Sequence, residues 1–443
     1  MIKISQFSKN NSDKKESTSN FDWFLLAILC VLCLSGLAFL ASSLSAKSVV
    51  EYQSEFFKQL FFGLWIGGAT TFFLARTDYH LILKYAKPLL WLTVGFLSFL
   101  GLIILYTIFT GKVSSAEKMA ALSNFNFLPV RPGLGGNAIR WLRIGPGVDG
   151  ALSFQPSELA KLSVLFYFAQ TLQNLSVEKI TWLKLKKPLY VLSVVLFLVY
   201  IQPDLGTSAI IFGIVMASMW LGKVPRKITG TIMGIGVCLG ILGVLAVSYR
   251  GARLQTFLDI YTNPEMACNS DNQENKDRNR QVCGIRSALK RGELWGKGYG
   301  AGIAKSNGSV PEINTDGILA VIGEETGFFG TVVFLSLYIV LFWKSLQISK
   351  NAPDVAGSVL AGGIGFWITS QAFLNVAGVS GLLPLKGIPL PFISEGGSAL
   401  VLNMMSVGIL LNISSQSGQK NGNKNQKGRK INNYNQPKTL STK

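Results

Sequence analysis

The sequence predicts an all-α membrane protein that crosses the bilayer about ten times, with both termini in the cytoplasm and two long extracytoplasmic loops. Of its 443 residues, 49% are hydrophobic and only 15% are charged, whereas about 25% of the residues of soluble domains are charged. A span needs roughly 20 apolar residues, and uncharged stretches of this kind recur along the chain. Composition and charge placement therefore indicate a multi-pass protein of the cytoplasmic (inner) membrane.

Ten apolar segments are predicted to be spans. They lie near residues 22–45, 56–75, 86–110, 157–175, 188–202, 205–221, 227–249, 316–347, 355–382 and 388–413. The fifth and sixth segments are short and share the turn Gln202-Pro203-Asp204. The first segment is too long for the apolar region of a signal peptide, so we expect a true first span rather than a cleaved leader.

Basic residues set the predicted orientation, because short cytoplasmic loops carry an excess of Lys and Arg. The leader, every second loop and the tail are basic, whereas the loops at about 111–155 and 250–315 fall outside. The sequence thus predicts a cytoplasmic leader over 1–21, a ten-span domain over 22–415 and a disordered basic tail over 416–443. This topology and attraction to anionic lipid explain the net charge of +19, so no nucleic-acid partner is expected.

Cysteine placement agrees with the predicted topology. Three cysteines lie within spans, whereas Cys268 and Cys283 share the second outer loop. An exported loop is an oxidising setting, which favours a disulfide between them, with two unpaired thiols as the alternative. The chain has one histidine, His80, and its single Cys-x-x-Cys, Cys30–Cys33, lies within the first predicted span. Neither haem nor structural zinc is therefore expected.

Charged residues at the ends of spans are the first functional candidates, because burying them in a membrane is costly. Glu158 and Lys161 open the fourth span three residues apart, on one helix face, where they can pair. Such a pair either serves function or simply locks two helices together. Asp204 is a second acid at the outer surface, although helix capping would also explain it. Asp316, at the start of the eighth span, is either a helix-dipole partner or a general base or metal ligand.

The connection between the ninth and tenth spans, 381–398, contains three prolines and four glycines in an apolar setting. Broken backbone at membrane depth is tolerated only where it lines a cavity or packs in protein. Cations gather at the predicted outer ends of the spans, and such a group suits a ligand that bears phosphates. These cations are Arg131, Arg140, Arg143, Lys161, Arg253 and Lys386.

Five segments carry a family resemblance by their order and spacing. They are Gln155–Lys161, Pro203–Thr207, Arg291–Gly298, Thr315–Asp316 with Gly323–Glu325, and Gly387–Ser398. Together they resemble the SEDS family (shape, elongation, division and sporulation) over nearly all of residues 22–413. The resemblance implies a membrane glycosyltransferase that polymerises lipid II into peptidoglycan glycan strands and releases undecaprenyl pyrophosphate. It also implies a class B penicillin-binding protein, a transpeptidase, as partner.

Two short segments are similar to the division type of the family rather than to the elongation type. They are Asn137–Trp141 and Leu385–Gly387. This similarity implies a location at the division septum, among other membrane proteins of the division complex.

The resemblance also assigns roles to particular residues. The family's essential acid falls on Asp316, its paired helix residues on Glu158 and Lys161, and its loop arginine on Arg140. Further substrate-binding positions are implied at Gln155, Asp204, Gln281, Lys386 and Ser394. The chain departs from the family in having Glu395 where Tyr is usual, and in the insert with Cys268 and Cys283 ahead of Gln281.

The implied reaction joins the 4-hydroxyl of an acceptor sugar to C1 of a donor whose leaving group is a lipid pyrophosphate. We expect Asp316 to take the hydroxyl proton or to hold a divalent cation, Mg²⁺ or Mn²⁺, while Arg140 and Lys161 stabilise the pyrophosphate. No nucleotide is expected, because Gly296-Lys297-Gly298 lacks the spacing of a Walker loop and its following Ser or Thr.

Three alternatives remain open at this stage. A lipid II flippase would also use polar groups in broken helices, although an acid at the outer boundary suits surface chemistry better than a midplane transport site. An elongation-type polymerase is the second alternative. A scaffold for the division machinery is the third, and it explains the basic tail but not the cations at the span ends.

Overall fold

A computed structural model gives the fold of most of the chain. It describes residues 21–110, 130–135, 138–144, 152–176, 180–245, 257–259, 261–262, 268, 273–306, 310, 312–384 and 387–434.

The predicted all-α polytopic fold is confirmed, and helices occupy each of the ten segments predicted to be spans. In chain order the helices are α1 (Trp23–Leu44), α2 (Val49–Lys58), a π-helix (Gln59–Trp65), α3 (Ile66–Arg76), α4 (Tyr79–Lys84), α5 (Ala86–Phe109), α6 (Pro156–Leu175), α7 (Trp182–Ile201), α8 (Leu205–Leu221), α9 (Arg226–Leu245), α10 (Gln273–Gly292), α11 (Ile318–Asn351), α12 (Val355–Val379) and α13 (Gly397–Tyr434). Six of them, α1, α5, α9, α11, α12 and α13, are long and apolar enough to cross a membrane by length and composition. The exact number of ten spans and the side of each terminus stay predictions.

Helix α12 lies at the centre of the bundle, where it packs against α6, α8, α11 and α13. Its side chain Trp367 is fully buried. Asp354 caps the helix by accepting a hydrogen bond from the backbone N–H of Gly357 at 2.7 Å, which satisfies one of the donors that a helix start leaves free. Two polar side chains of α12, Gln371 and Asn375, are likewise buried in the protein.

A three-stranded antiparallel sheet occupies part of the predicted first outer loop, a feature that the sequence analysis did not predict. Its strands are β1 (Val130–Gly135), β2 (Ala138–Ile144) and β3 (Leu152–Phe154), in the order β1-β2-β3. Ile139 and Leu142 of β2 are buried against the outer part of α5. The sheet thus covers the apolar end of α5, and Arg140 of β2 reaches the turn that precedes α8.

Helix α11 is broken at Gly327, whose backbone has φ +68° and ψ −170°. The segment Arg291–Gly298 crosses the break, and the N–H of Lys297 donates to the carbonyl of Glu324 at 3.0 Å. A Cβ on Gly327 would lie 2.3 Å from the nitrogen of Gly296, and only glycine readily adopts this positive φ. The two motif segments are therefore parts of one packed unit.

The last helix differs from the prediction at both ends. It starts at Gly397 rather than near 388, because Pro389 and Pro391 lack the N–H that a helix interior needs. Its backbone continues to Tyr434, into the segment predicted to be disordered, since extending an existing helix avoids the cost of nucleation.

On the predicted cytoplasmic side, the imidazole of His80 lies between the carboxylates of Asp78 and Asp354. Nδ1 of His80 lies 2.7 Å from Oδ1 of Asp78, and Nε2 lies 2.8 Å from Oδ2 of Asp354. Partial burial acts to lower the pKa of His80, but the hydrogen bonds and charges of Asp78 and Asp354 outweigh it and raise this pKa above 6.5. The protonated imidazole therefore links α4 to the start of α12.

We expect this link to weaken as pH rises. A raised folded-state pKa gives stability that is fully present below the unfolded pKa of about 6.5 and is lost as pH rises through the folded value. The His80 side chain is 46% exposed, so solvent screening limits the effect to about 1 kcal/mol or less. The melting temperature of the wild type should fall more between about pH 6 and pH 9 than that of His80→Gln, which keeps polar contacts without a titrating charge. An equal change of melting temperature with pH in the two proteins would contradict the stabilising role of protonated His80.

Candidate functional site

Asp316 lies two residues before α11 and is 9% exposed. Its Oδ1 is 3.5 Å from Nε2 of Gln281 on α10 and 3.4 Å from the hydroxyl of Thr315. Helix α11 has Gly317 at its N-cap, with no acid in its first turn and no side-chain cap bond. Asp316 therefore lies just before the first turn of α11 and makes no side-chain cap bond to it, so the dipole alternative stays a prediction.

Residues 387–396, which we call the broken segment, hold the backbone that immediately precedes Asp316. The hydroxyl of Ser394 donates to the carbonyl of Thr315 at 2.5 Å and accepts from the N–H of Leu390 at 2.7 Å. The N–H of Glu395 donates to the carbonyl of Asn314 at 2.8 Å. Ser394, a predicted substrate-binding residue, is 5% exposed and serves here to join two backbone segments.

Amide and phenol side chains satisfy the carbonyls of the broken segment, as backbone at membrane depth requires. The pairs are Asn375 Nδ2 with Ile388 at 2.8 Å, Gln371 Nε2 with Pro389 at 2.9 Å, the Tyr338 hydroxyl with Pro391 at 2.6 Å and Gln59 Nε2 with Ser394 at 3.4 Å. The sequence-based expectation that this stretch packs in protein is confirmed.

The structure changes the predicted position of Lys161. Its side chain is fully buried, and its ammonium lies 2.7 Å from both carboxylate oxygens of Glu158 and 2.6 Å from Oε1 of Gln371. An ammonium has three protons, so three acceptors can use them all. The prediction placed Lys161 among cations at the outer ends of the spans that stabilise a pyrophosphate, with a pair that locks two helices as the alternative. The structure favours the alternative, because Lys161 and Glu158 lie in the interior and link α6 to α12.

Gln155, Asp204 and Arg140 gather where α6 and α8 begin. Oδ1 of Asp204 caps α8 through the N–H of Thr207 at 3.1 Å, and its Oδ2 lies 3.3 Å from Nε2 of Gln155. Arg140 donates from Nε to the carbonyl of Gln202 at 3.0 Å and from Nη2 to that of Pro203 at 2.7 Å. The capping alternative for Asp204 is confirmed, and Arg140 joins β2 to the turn that precedes α8.

Of the other predicted cations, the structure describes the side chain of Arg143 alone. Arg143 on β2 is half-buried. Lys386 and Arg253 lie outside the described residues, as does the side chain of Arg131.

Sequence reasoning missed Gln371 and Asn375, which connect the predicted residues. They lie four positions apart on α12, and both side chains are buried. Residues at i and i+4 share a helix face, and two amides on one face of an apolar span were a signal that could have been found.

Cys268 and Cys283 form a disulfide in the structure, with Cα atoms 5.7 Å apart. Cys283 lies on α10, two residues beyond Gln281, which approaches Asp316. The cross-link therefore fixes the chain that precedes α10 to the helix that borders the carboxylate. Among the described residues, Cys30, Cys33 and Cys238 are free.

We expect Cys268 and Cys283 to be joined in the mature protein. Mass spectrometry of peptides from the unreduced, alkylated protein should find the two in one cross-linked species, and Cys30, Cys33 and Cys238 as single thiols. Closing a loop of 15 residues stabilises a fold by about 3 kcal/mol, so reduction should lower the melting temperature. Free alkylation of both cysteines without reductant would show that the pair is unbonded.

Asp316 does not have the neighbours of an all-protein metal cage. Among the described residues, no three His, Cys, Asp or Glu side chains come close enough to hold an ion. Mg²⁺ is often held by one or two carboxylates together with substrate phosphates, and Asp316 is the residue that could contribute to such a shared site.

These features together define a class of protein. It is a polytopic membrane protein that holds one carboxylate, Asp316, between helix α10 and a broken segment anchored by α12. Arg140 of β2 is bonded to the turn that precedes α8.

Comparison with known proteins identifies the family. The profile of the FtsW/RodA/SpoVE family, described as "Cell cycle protein", matches residues 22–419. The chain belongs to this family.

Two similar proteins carry the same name, "Probable peptidoglycan glycosyltransferase FtsW". The protein from Geobacter sp. strain M18 is 32% identical over 405 residues, which cover 89% of this chain and 97% of that protein. The protein from Geobacter sulfurreducens strain PCA is 37% identical over 299 residues, 66% of this chain and 74% of that protein.

Two solved structures share the fold. A chain of a peptidoglycan synthase complex, in which polymerization and crosslinking are coordinated, aligns with a TM-score of 0.65 at 20% identity and covers 90% of this chain and 98% of that one. The rod shape determining protein RodA of Thermus thermophilus aligns with a TM-score of 0.58 at 20% identity, with coverages of 89% and 97%.

Proposed function

We propose that this protein is a peptidoglycan glycosyltransferase of the FtsW type, which polymerises lipid II into glycan strands during cell division. The observation that carries the proposal is Asp316, a nearly buried carboxylate that caps no helix. It is held in place by three elements that the sequence separates widely. A carboxylate is costly to place at the end of a membrane span, so a nearly buried one is a functional candidate.

In the proposed reaction the 4-hydroxyl of the acceptor sugar attacks C1 of the donor, and the bond from C1 to the pyrophosphate oxygen breaks. Asp316 accepts the hydroxyl proton as general base. Gln281, 3.5 Å from Oδ1, orients the carboxylate. If a divalent cation takes part, Asp316 and the donor phosphates would hold it, and the cation would supply positive charge to the leaving group.

The leaving undecaprenyl pyrophosphate needs positive charge near its oxygens. Arg140 and Arg143 on β2 are the candidates, since Lys161 is enclosed. Arg140 is anchored through Nε and Nη2 to the turn before α8, which fixes the plane of its guanidinium. Such preorganised charge costs little reorganisation during the reaction.

A class B penicillin-binding protein, a transpeptidase, is the proposed partner, together with other membrane proteins of the division complex. The synthase complex that shares this fold supports the partner, and the name of the two similar proteins supports division over elongation. We place the protein at the division septum for the same reason.

The proposal is tested with purified protein and purified lipid II in detergent, with and without a transpeptidase, by separating glycan products on a gel. Strands longer than the disaccharide unit are expected. Detergent micelles have no second leaflet, so transport cannot contribute to this signal. Protein that binds lipid II but forms no polymer, even with the transpeptidase present, would instead support a flippase.

A further inference from the structure

Among the described residues, the side chain of Asn375 links the backbone of Asp316 to the backbone of the broken segment. Its Nδ2 donates one hydrogen bond to the backbone carbonyl of Asp316 at 2.9 Å and another to that of Ile388 at 2.8 Å. The side chain is 2% exposed. A primary amide carries two N–H donors. Asn375 uses both of them, and they hold Asp316, which precedes α11, against the broken segment.

The amide oxygen of Asn375 is buried and has no hydrogen-bond partner among the described residues. Burying an unpaired acceptor is unfavourable, and a leucine of similar volume would avoid it. The residue therefore contributes to the site through its two donors. Neither donor touches the Asp316 carboxylate itself, so the side chain acts on the backbone that carries the carboxylate.

We propose that Asn375 is a positioning residue that aims the Asp316 carboxylate at the acceptor hydroxyl. The inference rests on the proposed function, because it assumes that Asp316 is the base. Ser394 fixes the carbonyl of Thr315 from the broken segment, but only Asn375, of the described side chains, bonds to the backbone of Asp316 from α12. Loss of the amide leaves the carbonyls of Asp316 and Ile388 without these donors.

Gln371, one helical turn from Asn375 on α12, also bonds to the backbone of the broken segment. Its Nε2 donates to the carbonyl of Pro389 at 2.9 Å, while its Oε1 accepts from Lys161 at 2.6 Å. The interior pair on α6 thus supports the broken segment, and Asn375 connects that support to Asp316. Small displacements of a base cost rate because proton transfer requires close geometry.

The test compares Asn375→Leu with Asn403→Leu. Asn403 is a matched control, since it is 1% exposed, lies on α13 and has an unpaired amide oxygen. Asn375→Leu should lower kcat for lipid II polymerisation by about tenfold to a hundredfold and change KM by less than about threefold. Asn403→Leu should change neither value, and Asn375→Gln, which keeps two donors, should recover part of kcat.

Amide hydrogen exchange provides a measurement that does not depend on activity. The N–H groups of Leu390 and Glu395 donate within the site, and we expect their exchange to become about tenfold faster or more in Asn375→Leu but not in Asn403→Leu. Unchanged exchange and unchanged kcat in Asn375→Leu would overturn the inference. If the wild type forms no polymer the proposed function fails, whereas exchange still decides whether Asn375 holds the two segments together.

Discussion

Replacing Asp316 with Asn is expected to abolish glycan polymerisation while leaving expression and membrane insertion intact. A general base contributes roughly 10²- to 10⁴-fold to a rate, and asparagine has nearly the same shape but cannot accept the proton. The fold should survive because the bond from Asn375 reaches the backbone carbonyl of Asp316, which the substitution retains. Gel analysis of products from purified mutant and wild type, at equal folded concentration, gives the result.

Glu312→Gln is the matched control for Asp316→Asn. Glu312 is an exposed acid in the same turn, four residues earlier, and its replacement should leave polymerisation near the wild-type level. Near-normal glycan product from Asp316→Asn would remove Asp316 from the chemistry. Equal losses in both variants would point to a general requirement for negative charge in this turn.

The helical framework could be predicted from the sequence because a membrane span is a local property. About 20 apolar residues in a row determine it, and basic loops suggest the orientation. The position of Asp316 followed from the same reasoning, since an acid at the edge of an apolar segment is visible in one dimension. The irregular stretch before α13 was also predictable, because Pro389 and Pro391 exclude a regular helix, although the tenth span was predicted to begin near residue 388.

The partners inside the bundle could not be predicted in this way. The spacing of Glu158 and Lys161 gives their common helix face, but not the depth of that face or what lies opposite. The acceptor that completes the environment of Lys161 is Gln371, 210 positions away. Bonds of this kind depend on how helices pack, which periodicity within one helix does not reveal.

The sheet in the predicted first outer loop escaped prediction for a different reason. Its strands are short, and β1 contains Pro132 and two glycines, Gly133 and Gly135, residues that are depleted in strands. The pairing is stabilised by burial of Ile139 and Leu142 against α5. Tertiary contact therefore overrides the weak local preference.

The interior position of Lys161 changes what its replacement should do. Lys161→Met leaves the Glu158 carboxylate, 2% exposed, without its charge partner. Removing one member of a buried ion pair typically costs about 3–5 kcal/mol, and we expect the free energy of unfolding to fall by about that amount here. We therefore expect a marked fall in melting temperature and in the yield of monodisperse protein, rather than the selective loss of donor binding that a surface cation would show.

The double variant Glu158→Gln with Lys161→Met should be more stable than Lys161→Met alone. A neutral glutamine beside methionine leaves no uncompensated charge, and buried ion pairs can often be replaced by neutral groups with little net loss. Lys297→Met is the control, because Lys297 is 47% exposed and its pair with Glu293 spans 3.3 Å. Such exposed pairs contribute at most about 1 kcal/mol, so its melting temperature should stay close to that of the wild type.

Thermal melts of the four proteins in detergent, alongside lipid II binding, separate the two roles of Lys161. A structural role predicts that Lys161→Met loses stability, that the double variant recovers part of it, and that the folded fraction of each binds lipid II normally. If Lys161→Met melts like the wild type but binds lipid II more weakly by about tenfold to a hundredfold, the ammonium reaches the donor pyrophosphate. That size of loss corresponds to a charge-assisted bond of roughly 1.5–3 kcal/mol, and it would mean that α6 and α12 separate enough during the reaction to expose Lys161.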